Sequence, residues 1–222
     1  GWGGILADDM GLGKTVQALS YLYYYKLHHG NLNALVVCPT TLIFNWENEI
    51  RKFTPGLTYL IHHGGERSRS KDTFSKSNVV ITTYGTLRSD IKLLVDIPFD
   101  YVVLDESQAI KNPTSKVTKA AATLKARHRL CMSGTPLQNN TNDIFAQMNF
   151  LNPGMLGSME EFRQEFERAR LKRLIRSTQQ ALVLAMRDFI AAGKLRELSS
   201  DTSDRDHNQI RGVVQPINVI YD

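Results

Sequence analysis

The sequence predicts an α/β protein, with a mostly parallel central sheet and helices on both faces. Three observations predict it. Short apolar runs rich in β-branched residues alternate with stretches of helical periodicity. The runs are apolar throughout rather than at every second position, as in strands covered on both faces. The unusual polar clusters fall at the carboxyl ends of those runs, where open α/β sheets bind their ligands.

The candidate strands, in order, are "GGILAD" (3–8), "ALVVCP" (34–39), "LTYLIHH" (57–63), "NVVITT" (78–83), "DYVVLDE" (100–106) and "HRLCMSG" (128–134). Helices are predicted between them. In 14–28, Val16, Leu19 and Tyr23 recur at helical spacing. Ile43, Trp46, Ile50 and Phe53 do so in 41–53, and Val117, Ala121 and Leu124 in 114–125. Trp46 reads as helix core rather than as an exposed stacking platform. The character changes near residue 168. "RARLKRLIR" (168–176) has five basic residues and no acid, and Leu171, Leu174, Thr178, Leu182, Met186 and Phe189 mark one face of a long helix. Gly193 is a plausible stop. "SSDTSDRDHN" (199–208) reads as a polar linker and the remainder as a tail. The expected division is therefore a lobe over 1–167, a basic amphipathic extension over 168–198, and a linker and tail over 199–222.

Composition narrows the class. With 42% hydrophobic residues the chain can bury an ordinary core, and no apolar run approaches the length of a membrane-spanning helix. The start lacks the pattern of a signal peptide, so the expectation is a soluble protein with no membrane partner, cytoplasmic and nucleoid-associated in a bacterium or nuclear in a eukaryote. Cys38 and Cys131 each fall inside a candidate strand, which favours core thiols over a disulfide. The six histidines show no metal-site spacing. A net charge of +5 permits a polyanionic partner without demanding one.

Three stretches carry chemistry. In "ADDMGLGKT" (7–15) a strand feeds a glycine-rich turn, and Lys14-Thr15 opens a helix. Asp8 stands where the strict phosphate-loop pattern has glycine. Asp9, Met10, Gly11, Leu12, Gly13, Lys14 and Thr15 are the candidate nucleotide cradle. Gly11 and Gly13 let backbone N–H groups approach phosphate oxygens, Lys14 reaches the β- and γ-phosphates, and the Thr15 hydroxyl holds Mg2+. The ordinary alternative is a strand-to-helix turn that ends in Gly-Lys-Thr. In "VVLDESQ" (102–108) a buried strand ends in two acids, Asp105 for the Mg2+ shell and Glu106 to polarise the attacking water. In "CMSGTPLQNN" (131–140), Ser133, Gly134 and Thr135 end a strand at the same edge, as a segment that can couple the γ-phosphate to the carboxylates.

Together these stretches resemble the Swi/Snf-type ATPases of helicase superfamily two. "GGILADDMGLGKT" is similar to motif I, "VVCPTTLIFNWENEIRKF" to motif Ia, "VVITTYGTLRSD" to the motif that follows, "DESQAIKN" to motif II and "LCMSGTPLQNN" to motif III. "FLNPGMLGSMEEFRQEF" resembles the next segment, so the likeness covers roughly residues 3–166. It implies a RecA-like first motor lobe that uses ATP and Mg2+. It also implies double-stranded DNA as a partner, with bound proteins moved or stripped. Pro39, Thr40 and Thr41 would face the DNA backbone, as a strand end with free hydroxyls can. Lys111 and Asn112 could touch DNA or be solvated loop residues.

The 222 residues contain no counterpart of the family's upstream glutamine segment or of its second lobe, whose arginines cross the cleft. The expectation is a chain that binds ATP–Mg weakly and hydrolyses it poorly, with activity requiring a second lobe in cis or in trans. Two other readings stay open: a nucleotide- or DNA-binding module without turnover, and the first lobe of a strand-separating helicase or restriction-type translocase. "SGTPLQNN" favours the Swi/Snf group over unwinding helicases. The basic stretch from 168 reads as a helix with its charges in water ahead of a DNA contact.

Overall fold

The computed structural model describes residues 3–7, 11–134, 141–165, 167 and 168. Chain contacts group into two compact units, Gly1–Arg163 and Gln164–Asp222. In the second, the described part is short; Arg168 there pairs with Glu165 at 2.8 Å in solvent. The expected extension and tail beyond Arg168 lie outside the described residues.

The first unit is built on six parallel strands: β1 (Gly3–Leu6), β2 (Ala34–Cys38), β3 (Tyr59–His62), β4 (Val79–Thr83), β5 (Phe99–Leu104) and β6 (Ala126–Met132). Their order across the sheet is β1-β6-β5-β2-β4-β3, each neighbour pairing parallel. All six candidate strands form, their ends displaced by one or two residues; β5 and β6 begin one and two residues earlier than expected. β3 starts late because Thr58 is held by its exchange with Asn78, whose N–H donates to Thr58 O and whose Oδ1 accepts from Thr58 N.

Helices cover both faces. α1 (Lys14–His29) and α2 (Ile43–Phe53) pack on one; on it Ala34, Val36 and Cys38 meet Leu19, Leu22, Trp46 and Ile50. Leu35 and Val37 point the other way, into a core with Phe74, Leu87, Leu94, Ala121 and Phe150. That core is roofed by α3 (Lys71–Phe74), α4 (Tyr84–Ser89), α5 (Ile91–Leu94), α6 (Lys116–Thr123) and α7 (Thr141–Leu151). Strand residues alternate between the two cores, so β2, β4 and nearly all of β5 are buried throughout, as the continuous apolar runs require. Cys38 and Cys131 belong to opposite cores, and burial pushes both thiols up to about 12. They are core residues with no geometry for a disulfide.

The architecture is a RecA-like α/β lobe. Among the described helices α1–α7, four have no counterpart among those expected from sequence. α3 and α5 are single turns of four residues each. α4 contains Gly85 and is too short for a repeat, but Thr83 caps it by accepting from Thr86 N at 3.2 Å. α7 did carry a signal, in Ile144, Met148 and Leu151. Predicted 41–53 divides into a tight 3-10 turn, Thr40–Leu42, and α2.

Gly3 marks the closest approach at the β1 edge. A Cβ there would sit 2.6 Å from the Leu151 carbonyl oxygen, whereas a Cβ at Gly4 would meet open space. Gly3→Ala is therefore expected to lower stability by about 1–3 kcal/mol through overpacking, and Gly4→Ala to leave it nearly unchanged. Paired thermal melts check the contrast.

Candidate nucleotide site

The chemistry-bearing stretches end on contiguous strands. β1 leads to the glycine loop, β6 to Ser133, β5 to Asp105 and Glu106, and β2 to the Pro39–Thr41 segment. Since β1, β6, β5 and β2 are successive neighbours, all four carboxyl ends share one rim of the sheet. A cavity of about 300 Å3 opens there, lined by the loop residues Gly11, Gly13, Lys14, Thr15 and Val16, by Asp105 and Glu106, by Met132, and by Leu42, Asn45 and Glu49 of the α2 side. A larger hollow of about 550 Å3, between β1, β6 and α1, is mainly apolar. The lining chemistry, not the size, marks the smaller one.

The loop has the backbone the sequence demands. Gly11 has φ +89° and Gly13 φ +73°, values L side chains rarely adopt. Gly13 is the N-cap of α1 and turns the chain so that the first helical turn faces the cavity. That turn carries no acid, while Lys26, His28 and His29 occupy the last turn, which leaves the N-terminal dipole available to an anion. Lys14 and Thr15 are half-buried. Asp9 and Met10 lie outside the described residues.

Asp105 is almost entirely buried, 5% exposed. Its Oδ1 accepts from the Glu106 backbone N–H at 2.9 Å and its Oδ2 from the indole N–H of Trp46 at 2.8 Å. Its backbone carbonyl accepts from the Tyr84 hydroxyl at 2.7 Å. Burial raises the Asp105 pKa above the ordinary carboxylate value, the two hydrogen bonds pull it down, the Glu106 charge adds to the rise, and the Lys14 charge opposes it. A desolvated carboxylate of this kind is poised for a cation. Glu106 has φ 50°, the one positive value at a non-glycine among the described residues. This left-handed turn separates the two acids, so Asp105 stays inside while Glu106 reaches the cavity wall half-exposed.

Behind Glu106 runs a short relay. Gln108 Nε2 donates to Glu106 Oε2 at 2.6 Å, and Ser133 Oγ donates to Gln108 Oε1 at 3.1 Å. Ser133, fully buried, also ties β6 to β1 through its N–H to Leu6 O at 3.2 Å. Gly134 follows, half-buried, and Thr135 lies outside the described residues.

Of the candidate DNA contacts, Pro39, Thr40 and Thr41 follow β2 at this rim. Pro39 is half-buried and Thr40 and Thr41 are exposed on the 3-10 turn after β2. Lys111 and Asn112 are exposed after β5. Asn112 also acts locally. Its side-chain oxygen accepts from Thr114 N at 3.0 Å and Thr114 Oγ1 at 2.8 Å, shaping the turn into α6.

Sequence reasoning missed four participants. Gln108 stood inside the quoted "DESQ" but carried no signal for its bond to Glu106. Trp46 is the helix core expected, yet its N–H reaches Asp105. Asn45 and Glu49 sit on the cavity side of α2, and helical spacing from Trp46 could have placed Glu49 there. Glu49 Oε2 is buried with no hydrogen-bond partner among the described residues. That orphaned acceptor, the positive-φ glycines and the mixed lysine, hydroxyl and carboxylate donor set all fit a hydrated magnesium nucleotide.

Comparison with known proteins identifies the family. Residues 1–211 match the sequence pattern of the SNF2-related domain. The TATA-binding protein-associated factor mot1 of Schizosaccharomyces pombe is 36% identical over 221 residues, covering 93% of this chain and 11% of that protein. An ATP-dependent helicase of Mycoplasma pneumoniae is 39% identical over 169 residues, covering 75% of the chain and 16% of the relative. The putative ATP-dependent helicase/translocase YwqA of Bacillus subtilis is 35% identical over 171 residues, 75% and 18% of the two lengths. Among solved structures, the Sulfolobus solfataricus SWI2/SNF2 ATPase core in complex with dsDNA superposes with a TM-score of 0.69 at 41% identity, over 74% of this chain and 34% of that one. The chain thus spans between 11% and 18% of the length of these three curated relatives.

Proposed function

Because the chain belongs to the SNF2-related domain family, we propose that it is the first motor lobe of a DNA-dependent ATPase that moves along double-stranded DNA and displaces bound protein. The observation that carries this reading is the single cavity lined by Lys14, Thr15, Asp105 and Glu106. The Sulfolobus ATPase core is in complex with double-stranded DNA, which supports DNA as the track. The name of the Schizosaccharomyces pombe relative, a TATA-binding protein-associated factor, supports a DNA-bound protein as the object acted on.

Each residue then has a defined role. The first turn of α1 and the loop glycines cradle the phosphates with backbone N–H groups, and Lys14 neutralises the outer ones. Thr15 and Asp105 would hold magnesium, which when bound would shield the phosphate charge. Glu106 orients a water and accepts its proton. Ser133 sets Glu106 through Gln108, so a shift of the β6 end alters the base directly. Thr40 and Thr41 offer hydroxyls and a turn to the DNA backbone, with Lys111 adding charge.

One lobe cannot open and close a two-lobe cleft, and it lacks a charge from across that cleft. The absence of such an arginine lowers turnover by roughly 10³–10⁵. The 222-residue chain alone is therefore expected to hydrolyse ATP feebly, with no response to duplex DNA. Joined to a second lobe, it should gain turnover that DNA stimulates. Steady-state ATPase assays with and without duplex DNA test this, and robust DNA-stimulated turnover by the chain alone would refute the two-lobe requirement. The helicase name of the Mycoplasma relative favours a second reading, strand separation. Release of a labelled strand by the two-lobed protein would establish it.

A further inference from the structure

α2 does more than cover the sheet. Asn45 and Glu49, about one turn apart, line the cavity that also holds Lys14 and Asp105. Trp46, between them in sequence, is fully buried and donates its indole N–H to Asp105 Oδ2 at 2.8 Å. The phosphate loop and the two acids make a nucleotide site without giving Trp46 any part.

A metal-ligating carboxylate must be aimed, and the groups that hydrogen-bond it fix its rotation. Asp105 has one such donor on each oxygen: the Glu106 N–H on Oδ1 and the indole on Oδ2. Each oxygen keeps a further lone-pair direction for a cation. The backbone donor alone would leave Oδ2 able to swing. The indole removes that freedom because it is rigid and wedged in the core with Leu19, Val36 and Ile50. Trp46 also stands on the first turn of α2, just after the Thr40–Leu42 turn on the rim.

We propose that Trp46 is a positioning residue for the metal: it holds the Asp105 carboxylate in the rotation that receives the magnesium ion of a bound nucleotide. This rests on the reading of the cavity as a magnesium-nucleotide site. The two can fail separately.

The test follows binding of a methylanthraniloyl-labelled ADP to the 222-residue chain, with Mg2+ titrated and, separately, in EDTA. Trp46→Phe keeps an aromatic ring and deletes the donor. The half-saturating Mg2+ concentration should rise about tenfold, while affinity for the metal-free nucleotide stays unchanged. A role in packing alone would weaken both together or neither. Asp105→Asn should abolish the Mg2+ dependence. If it does and Trp46→Phe leaves the Mg2+ titration where it was, the proposal for Trp46 falls and the site stands. If Asp105→Asn changes nothing, or the unsubstituted chain binds no nucleotide at any Mg2+ concentration, the site reading itself falls and takes the proposal with it. A second measurement leaves Trp46 in place. The chain has two tryptophans, so Trp2→Phe makes Trp46 the sole tryptophan, read with excitation beyond the absorption of the tyrosines. Mg-ADP should alter its emission and ADP in EDTA should not. Emission indifferent to Mg2+, with labelled ADP still binding in a Mg2+-dependent way, would overturn the proposal even if Trp46→Phe does not fold.

Discussion

Replacing Lys14 with alanine is expected to remove ATP turnover from the two-lobed protein and most of its affinity for the magnesium nucleotide. Lys14 is the first residue of α1 and lines the same cavity as the two acids. In the proposed site its ammonium would neutralise the outer phosphates. Loss of one such preorganised donor at a developing charge typically lowers turnover about 10²–10³-fold. Alanine is the best helix former, so α1 should persist and the melting temperature should hardly move. Nucleotide binding by fluorescence, with turnover measured alongside, checks both parts. Unchanged turnover would mean that phosphate is held elsewhere.

Glu106→Gln should separate binding from chemistry. The side chain keeps its size, and Gln108 can still donate to the remaining oxygen. What goes is the ability to take a proton from water. A positioned general base contributes about 10²–10⁴-fold, so turnover should fall by that order while affinity for magnesium ATP holds. Glutamine carries the same Cβ as glutamate, so the left-handed backbone at residue 106 costs both alike and does not confound the comparison. A variant that loses binding and turnover together would make Glu106 a binding group rather than the base.

Much of the fold was legible in the residues. The central strands announced themselves because β2, β4 and most of β5 are buried on both faces, which leaves no room for polar alternation. α1 and α2 were legible because each lays one apolar stripe on the sheet. The short helices over the second core were not. Single turns such as α3 and α5 are made by tertiary contact and carry no period of their own, and α4 depends on a threonine cap that looks in sequence like any loop threonine.

The candidate site divides in the same way. Gly11, Gly13, Lys14, Asp105 and Glu106 sit in unusual local contexts, a glycine turn before a helix and an acidic pair after an apolar run, so spacing alone flags them. Gln108, Trp46 and Glu49 are ordinary in local context. Their roles come from strand order, which brings β1, β6, β5 and β2 side by side and so aims α2 and the turn after β5 at one cavity. No window of sequence contains that adjacency. Ser133 lies between the two cases: its strand end was visible, its path to Glu106 through Gln108 was not.

The most direct test is a crystal structure of the chain grown with Mg2+ and a non-hydrolysable ATP analogue. The triphosphate should lie in the Gly11–Thr15 turn, with one metal bridging it, the Thr15 hydroxyl and Asp105, and with Glu106 facing the terminal phosphate. Nucleotide bound away from that turn, or a metal that leaves Asp105 untouched, would contradict the account.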